Sequence, residues 1–358
     1  MLSNDSYRDP DSSFGHMEDT YRHGPLLLLS GRANFPLARE IAEKLGESPE
    51  GATIKDFSDG EIFVRIDHNA RGRDVFIIQP TSAPANNFME LCLLLDAAKR
   101  ASAARVTAVI PYFGYGRQDR KDQPRVSIGA KLAANLIVAA GADRVISIDF
   151  HQHQIQGFFD IPVDHLYAAP VVTKYFRDLA LEDLVVIAPD VGAAKMARGF
   201  ARRLGATLAI IDKRRPKANM SEVLNIVGDV QDRTCLIVDD MVDTGGSLAN
   251  AVEALKDRGA KTVYAAATHP ILSGEAPSRL ANSPLEQMIV TNTINVPDEK
   301  RSDRLEILSV ADLLSKAIHH VHSNESVSKL FEISSRKTEG KGPGIAPGAD
   351  NQENEGPQ

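Results

Sequence analysis

The sequence predicts an α/β protein made of two similar, doubly wound domains with parallel sheets. Short apolar runs that are typical of buried strands alternate with segments whose apolar residues recur at helical spacing. This alternation is typical of parallel sheets that are covered by helices on both faces. The predicted strands are 26–29, 75–79, 106–110, 145–148, 184–188, 208–211, 235–238 and 263–266, and the predicted helices are 36–45, 88–101, 128–139, 193–204 and 248–258.

This number of strands in a chain of 358 residues fits two domains of ordinary size better than one large sheet. The strand–helix rhythm restarts near 165–172, so we expect an N-terminal domain over 25–167 and a C-terminal domain over 168–332. We expect the last helix to pack on the N-terminal domain. Residues 1–24 show no hydrophobic period, and 333–358 are rich in Gly, Pro, Asn and Glu, so both ends are predicted to be flexible tails.

Composition and charge narrow the classes of function. The chain is 43% hydrophobic and 25% charged with a net charge of −7, which argues against a broad nucleic-acid interface. No apolar run reaches the length of a membrane span. The two cysteines, Cys92 and Cys235, lie in apolar runs and are interpreted as buried, reduced thiols. We therefore expect a cytoplasmic protein that binds neither membrane nor nucleic acid.

A loop rich in carboxylates and small residues follows the predicted strand 235–238. The helical pattern that follows places this loop at a helix N-terminus, where free backbone N–H groups and the helix dipole favour a phosphate. Gly245 and Gly246 would let the backbone approach the phosphate, and Thr244 and Ser247 would add hydroxyl donors. Asp239 and Asp240 would repel a phosphate, which suggests that they bind sugar hydroxyls. The alternative is an ordinary strand–turn–helix junction in which Asp243 caps the helix.

Four cations lie in segment 211–217, directly after the predicted strand 208–211. Such a run is commonly a solvated loop. It is equally compatible with a mobile loop that closes on a polyphosphate and stabilises charge in the transition state. The residues alone leave both interpretations open.

Segment 111–121 follows the predicted strand 106–110 and combines aromatic residues and glycines with Arg117 and Gln118. These residues could stack a base and bind phosphates, or the aromatics could simply pack on the sheet. His151 and Asp190 also follow strands, at the edge where open α/β sheets bind their ligands. His151 could hold a metal ion or contact a nucleotide, or be structural, and Asp190 could instead cap the next helix.

Together these motifs resemble the class I ribose-phosphate diphosphokinases (phosphoribosyl pyrophosphate synthetases) from about residue 26 to residue 331. The loop from Asp239 to Ser247 is similar to the family's ribose 5-phosphate loop, and Lys213 and Arg215 match its flexible catalytic loop. Segment 112–121 resembles its ATP-binding segment, and Phe57-Ser-Asp-Gly-Glu61 resembles its adenine-recognising loop. The residues 154–162, after His151, are similar to a specific family signature.

The resemblance implies transfer of the β,γ-diphosphoryl group of Mg-ATP to the 1-hydroxyl of ribose 5-phosphate, which gives phosphoribosyl pyrophosphate and AMP. It implies Mg²⁺ as cofactor and ATP and ribose 5-phosphate as substrates. The implied catalytic residues are Lys213 and Arg215, and His151 and Asp190 match metal positions. The implied ribose 5-phosphate site consists of Asp239, Asp240, Asp243, Thr244, Gly245, Gly246 and Ser247. The implied ATP site consists of Phe57, Asp59, Gly60, Glu61, Arg117 and Gln118.

The resemblance also implies a homo-oligomer, usually a hexamer, in which the loop from Phe57 to Glu61 reaches a neighbouring subunit's ATP site. Phosphate and ADP are the implied effectors, and Ser326 to Phe331 resembles part of the regulatory site. Two alternatives remain: a phosphoribosyltransferase, which shares the Asp-Asp phosphate loop, and a catalytically silent regulatory homologue. The cationic loop and the ATP segment argue against the first, and the presence of Lys213, Arg215 and His151 argues against the second.

Overall fold

Residues 23–49, 51–214 and 223–331 are described by a computed structural model of the chain. They contain two large β-sheets and a separate β-hairpin. The elements of the first part are β1 (Leu26–Ser30), α1 (Phe35–Leu45), β2 (Ala52–Asp56), β3 (Ile62–Ile66), β4 (Asp74–Ile78), α2 (Asn86–Arg100), β5 (Arg105–Ile110), α3 (Gly129–Ala139), β6 (Arg144–Ile148), the 3₁₀ helix η1 (His153–Phe158) and β7 (Val163–Leu166).

The first sheet has the order β1-β4-β5-β6-β7, with every neighbouring pair parallel. Strands β1, β4 and β5 are buried along their whole length, as expected of apolar runs without alternation, whereas the edge strand β7 is only partly buried. One face packs against α2 and α3, and the other packs against α1. Helix α1 begins after Asn34, whose side chain accepts a hydrogen bond from the Leu37 N–H, and it ends at Gly46 in a left-handed conformation (φ 69°).

The second part of the chain builds a larger sheet. Its elements are α4 (Ala169–Asp178), β8 (Leu184–Ala188), α5 (Ala194–Leu204), β9 (Thr207–Arg214), β10 (Val223–Val227), β11 (Thr234–Val242), α6 (Gly246–Asp257), β12 (Thr262–Pro270), α7 (Ala276–Asn282), β13 (Gln287–Thr291), the 3₁₀ helix η2 (Asp298–Lys300), β14 (Leu305–Leu308), α8 (Ala311–His322) and the 3₁₀ helix η3 (Val327–Phe331).

The second sheet has the order β10-β9-β8-β11-β12-β13-β14. The order reverses between β8 and β11, because the chain runs from β8 outward to β9 and β10 and then returns to β11. In open α/β sheets such a reversal leaves a crevice at the carboxyl ends of the two strands, where ligands bind. Asp190 follows β8, and Asp239 and Asp240 lie in the last part of β11, so the fold places these predicted site residues at that crevice.

The structure corrects several details of the sequence-based expectation. The predicted strand 235–238 continues to Val242, so Asp239 and Asp240 lie within β11 rather than in the following turn. Strands β2, β3, β7, β10, β13 and β14 were not predicted. Two of the strand pairs, β2–β3 and β9–β10, are antiparallel, so the sheets are not purely parallel. The expected tails, 1–24 and 333–358, lie almost wholly outside the described residues.

Helix α8 leaves the second sheet and packs against α1 on the first sheet. Leu314 and Ile318 of α8 are fully buried in the same apolar cluster as Phe76 and Ile146. Helix α4, by contrast, packs on the second sheet. The domain boundary at 167/168 stays a prediction.

Within the described residues, none of the helices is both long and apolar enough to span a membrane.

A buried polar network fastens α8 to the amino end of the first sheet. The guanidinium of Arg105 donates two hydrogen bonds to Asp74, which is completely buried, and a third to the carbonyl of Val321 in α8. The Nδ1 of His322 lies 2.8 Å from Oδ2 of the same Asp74 carboxylate. A single carboxylate therefore joins β4, β5 and α8.

Removal of the Asp74 charge should destabilise the protein strongly, because the buried Arg105 would lose its partner. We expect Asp74→Asn to lower the free energy of unfolding by about 3–5 kcal/mol. Asp178→Asn breaks an exposed pair with Lys174 and serves as the control, with an expected loss of about 0–1 kcal/mol. Urea denaturation followed by circular dichroism measures both; equal losses in the two variants would contradict the assigned role of Asp74.

Candidate active site

The site is centred on a contact between the carboxyl ends of the two sheets. His151 follows β6 of the first sheet, and Asp240 belongs to β11 of the second. The Nδ1 of His151 lies 2.8 Å from Oδ2 of Asp240, although the two residues are 89 positions apart in sequence. The neighbouring Asp239 accepts a hydrogen bond from the Asp240 N–H. Two of the predicted ribose-binding carboxylates and one predicted metal-binding residue are thus brought together.

The electrostatics of this cluster are dominated by crowded carboxylates. The hydrogen bond to Asp240 raises the pKa of His151 above its ordinary value. Burial by itself would raise the pKa of Asp240, but the hydrogen bond and charge of His151 outweigh burial and lower it. Burial and the adjacent Asp240 charge hold the pKa of Asp239 well above its ordinary range. Among the described side chains, His151 therefore compensates the charge of Asp240, and Asp239 is shifted toward its protonated form.

The loop from Asp243 to Ser247 joins β11 to the N-terminus of α6. Gly245 precedes the helix with a φ of 71°, the left-handed region that glycine adopts without strain, and no side chain caps the helix there. The first backbone N–H groups of an α-helix have no acceptor within the helix. Arg279 of α7 donates a hydrogen bond to the carbonyl of Thr244. Asp243 does not cap the helix; its carboxylate instead receives a hydrogen bond from Arg117. The geometry is that of an anion-binding turn with two cations beside it.

Arg117 and Gln118 lie at the end of the segment that follows β5. The guanidinium of Arg117 is about half exposed, at 52%, and forms the ion pair with Asp243 across the two sheets. The side chain of Gln118 lies over the first residue of α3, where a Cβ at Gly129 would approach its Oε1 to 2.5 Å. A larger residue at Gly129 would therefore displace the Gln118 side chain. Arg117 faces the second sheet, whereas Gln118 packs on the first.

Asp190 and Lys213 lie at the same edge as Asp239. The Oδ1 of Asp190 accepts a hydrogen bond from the Ala193 N–H in the turn before α5. Asp190 is not the N-cap of α5, because the N-cap is Ala193, whose side chain makes no capping hydrogen bond. Its charge nevertheless contributes to the raised pKa of Asp239. Lys213 belongs to β9, which pairs with β8. Arg215 lies outside the described residues.

The carboxylates and histidine of the cluster are possible ligands for a divalent cation. Within the described part of the chain, no group of three or more His, Cys, Asp or Glu side chains is arranged to hold a metal by itself. Mg²⁺ commonly uses one or two carboxylates together with substrate phosphates. Burial and the adjacent Asp240 charge favour the protonated form of Asp239, and a cation that arrives with a phosphate ligand would displace that proton and stabilise the carboxylate.

The loop from Phe57 to Glu61 connects β2 and β3 and is separate from this cluster. Its hydrogen bonds are internal: the Phe57 N–H donates to the Glu61 carbonyl, and the Asp59 carboxylate accepts from the Glu61 N–H. The ring of Phe57 is 50% exposed and contacts Phe63 of the same hairpin. Among the described residues, no hydrogen bond or ion pair joins this loop to His151 or Asp240, so the chain does not bring the predicted adenine loop to its own cluster.

Sequence reasoning missed a buried network next to the site. Asp149 accepts hydrogen bonds from the Thr268 hydroxyl and the Ala168 N–H. Its carbonyl accepts from Nε2 of His269, whose ring also contacts Tyr112. Burial lowers the pKa of His269, so the ring is neutral at physiological pH. Thr268 and His269 lie two and three residues after the predicted strand 263–266, and the rule that strand carboxyl ends bind ligands would have indicated them.

The chain is similar to known proteins over most of its length. A family model described as the N-terminal domain of ribose phosphate pyrophosphokinase matches residues 26–141, and one described as the phosphoribosyl synthetase-associated domain matches residues 215–332. A ribose-phosphate pyrophosphokinase of Caldanaerobacter subterraneus is 54% identical over 308 residues, which cover 86% of this chain and 98% of that protein. A ribose-phosphate pyrophosphokinase of Clostridium tetani is 51% identical over 311 residues, with 86% and 97% covered.

The crystal structure of a phosphoribosylpyrophosphate synthetase from Mycobacterium smegmatis superposes with a TM-score of 0.80 at 45% sequence identity, covering 84% of this chain and 99% of that one. The fold is thus that of the phosphoribosyltransferase-like α/β proteins with two such units. Within that class, the chain belongs to the ribose-phosphate pyrophosphokinase family.

The contact between His151 and Asp240 has a measurable consequence for protonation. In metal-free protein we expect His151 to remain protonated to a higher pH than an ordinary histidine, because its protonated form donates to the carboxylate. Asp240→Asn removes the charge and should lower the His151 pKa. Titration of the His151 ring resonance by NMR, assigned with a His151→Gln variant, measures the change.

Asp119→Asn is the matched control for this titration. Asp119 also raises the His151 pKa, but by charge alone and as the weakest of the causes. Its replacement should therefore lower that pKa less than Asp240→Asn does. An unchanged His151 pKa in Asp240→Asn would contradict the contact between the two sheets.

Proposed function

We propose that the protein catalyses transfer of the diphosphoryl group of Mg-ATP to the 1-hydroxyl of ribose 5-phosphate, giving 5-phosphoribosyl 1-diphosphate and AMP for nucleotide biosynthesis. The observation that carries this proposal is the apposition of an anion-binding turn on the second sheet with a cationic, aromatic segment on the first. Arg117 of that segment reaches Asp243 of the turn. A sugar phosphate and a nucleotide bound on the two sides would therefore face each other.

The acceptor side of the proposed site is the loop from Asp243 to Ser247 with the two carboxylates that precede it. The N-terminus of α6 and the hydroxyls of Thr244 and Ser247 would bind the 5-phosphate. Asp239 and Asp240 would accept hydrogen bonds from the sugar hydroxyls, because carboxylates are strong acceptors and would repel the phosphate end. These opposite preferences orient the sugar with its 1-hydroxyl toward the first sheet.

The donor side is proposed to bind ATP through Arg117 and Gln118. The resemblance implies that Phe57, Asp59, Gly60 and Glu61 recognise adenine, and the exposed hairpin that carries them supports a site completed by a second copy of the chain. A homo-oligomer, with a hexamer as the expected assembly, accounts for an apolar Phe57 ring that is half exposed. Phosphate and ADP are proposed as its effectors.

Mg²⁺ is proposed to be the cofactor, bound near His151 and Asp190 with the Asp239 and Asp240 carboxylates beside it. When bound with ATP, the ion would neutralise phosphate charge. The residues of the chain position the two substrates: the hydroxyl oxygen attacks the β-phosphorus, the bond between that phosphorus and the α-bridging oxygen breaks, and AMP leaves. Lys213 and Arg215 would stabilise the negative charge that develops on the transferred group. The location is proposed to be the cytoplasm, where Cys92 and Cys235 would remain free thiols.

The direct test is to follow products from the purified protein with Mg-ATP, ribose 5-phosphate and inorganic phosphate. We expect AMP and 5-phosphoribosyl 1-diphosphate in equal amounts, and neither without ribose 5-phosphate. ADP as the product would indicate simple phosphoryl transfer. No reaction would favour a regulatory homologue, and consumption of added 5-phosphoribosyl 1-diphosphate with a nucleobase would favour a phosphoribosyltransferase.

Lys213→Ala tests the proposed catalytic role of the cationic segment. We expect kcat to fall by about 100-fold or more, because the lost interaction is made mainly in the transition state. The KM for ribose 5-phosphate should stay within about threefold, since that substrate binds the Asp243–Ser247 loop. Lys316→Ala, which removes an exposed lysine paired with Asp312 on α8, is the control and should leave both parameters unchanged. A large loss of ribose 5-phosphate binding with kcat intact would reject the transition-state role.

A further inference from the structure

We propose that His269 is a positioning residue that holds the two sheets in register, so that the bound donor and acceptor are aligned for transfer. This inference rests on the proposed function and names a residue that lies outside the substrate-binding loops. His269 is 1% exposed and lies near the end of β12. It pairs in register with Met241 of β11, the residue after Asp240. Its backbone therefore belongs to the acceptor side of the site.

The side chain of His269 is fixed from both ring nitrogens. Nε2 lies 3.0 Å from the carbonyl oxygen of Asp149 on the first sheet. A carbonyl can only accept, so Nε2 carries the proton and Nδ1 presents a lone pair. Nδ1 lies 2.9 Å from Oγ1 of Thr293, which donates to it. The ring thus has one tautomer and one orientation. Its hydrogen bond fixes the Asp149 carbonyl relative to the second sheet.

Asp149 needs such support because its backbone is strained. Its φ is 38°, in a region that residues other than glycine adopt only when their surroundings over-determine it. Its carboxylate accepts hydrogen bonds from Thr268 at 2.7 Å and from the Ala168 N–H at 3.0 Å. Two consecutive residues of β12, Thr268 and His269, therefore hold the side chain and the main chain of the same strained residue.

The position of Asp149 determines the position of His151. Only Phe150 separates them, and the Phe150 ring is packed between Phe113 and Phe159, so a shift of the Asp149 carbonyl would be passed directly along the main chain. His151 lies 2.8 Å from Asp240, which is adjacent in register to His269. Contacts therefore lead from His269 to Asp149, along the main chain to His151, and from His151 to Asp240 beside His269. This closed series of contacts includes both sides of the site.

His269 also contacts the second donor-side segment. Its ring meets the ring of Tyr112 edge to face, with 4.9 Å between centroids. Tyr112 opens the segment that carries Arg117, which is paired with Asp243 across the sheets. One buried ring therefore abuts both segments of the first sheet that face the acceptor loop.

This placement predicts a particular kinetic signature. The ribose 5-phosphate loop lies wholly in the second sheet and its helix, so loosening the contact between sheets should leave the KM for that substrate unchanged. The bound donor and acceptor should become misaligned. A displacement of the reacting groups on the order of 1 Å can lower the rate about 100-fold. The loss should therefore appear in kcat.

The experiment compares His269→Phe with His269→Gln in the AMP-forming assay. The phenylalanine keeps the ring against Tyr112 and loses both polar atoms, and we expect kcat to fall by about 100-fold with the KM for ribose 5-phosphate within about twofold. Glutamine can return an N–H to the Nε2 position, and its kcat should come within about tenfold of wild type. A wild-type kcat in His269→Phe, equal losses in both variants, or a KM that rises as kcat falls would overturn the inference.

His322→Phe is the matched control. His322 is also a buried histidine, 7% exposed, bonded to an aspartate of the first sheet, but Asp74 lies at the opposite, amino end of that sheet. This variant should lower the melting temperature and leave kcat of the folded protein within about twofold. A loss of kcat as large as that in His269→Phe would show a merely structural effect and overturn the inference.

A second variant and a parallel wild-type assay complete the experiment. If His269→Phe does not fold, Thr268→Val removes the hydroxyl that donates to Asp149 while keeping nearly the same shape; a lower kcat with unchanged KM supports the inference, and an unchanged kcat overturns it. Wild-type protein is assayed in parallel. If the wild type forms no AMP, the proposed function fails, whereas active wild type with an equally active His269→Phe rejects only the role of His269.

Discussion

The site depends on one constraint: the two sheets face each other with the carboxyl ends of their strands. Parallel strands leave all these ends at one edge, so each sheet contributes a row of loops to the same space. The residues at this edge are Arg117, Asp149 and His151 from the first sheet and Asp190, Asp239, Asp240 and His269 from the second. Loops of one sheet alone would not complete the cluster, because the counter-charges for the second sheet come from the first.

The second sheet brings more charged side chains to this edge than the first sheet brings to balance them. The second sheet brings Asp239, Asp240 and Asp243 within one short segment, and the first sheet answers with His151 and Arg117. Burial and the adjacent Asp240 charge raise the pKa of Asp239, so a proton on Asp239 relieves the excess of buried negative charge in the protein alone. In the proposed reaction, a cation that binds with a substrate phosphate would take the place of that proton.

Much of the architecture could be predicted from apolar periodicity, and the errors have physical causes. The predicted strand 184–188 agrees with β8 because four of its five residues are buried and all five are apolar. The predicted end of strand 235–238 was wrong because two carboxylates were interpreted as a break. The strand continues because β12 pairs with it as far as Val242, whereas its pairing with β8 stops at Ile237. The hairpin β2–β3 was missed although β3 is mostly apolar, because both strands are short, only partly buried and joined to each other outside the two large sheets.

The sequence by itself determined the type of each element and the chemistry of each loop, because strand and helix periods, glycines and charges act over a few neighbouring residues. It indicated an anion-binding turn at 243–247 and candidate ligands at His151 and Asp190. Tertiary structure alone decided which loops meet. His151 pairs with Asp240 across 89 positions, Arg117 with Asp243 across 126, and His269 with Asp149 across 120. Such partners are set by the packing of two sheets and α8, and no local pattern encodes that packing.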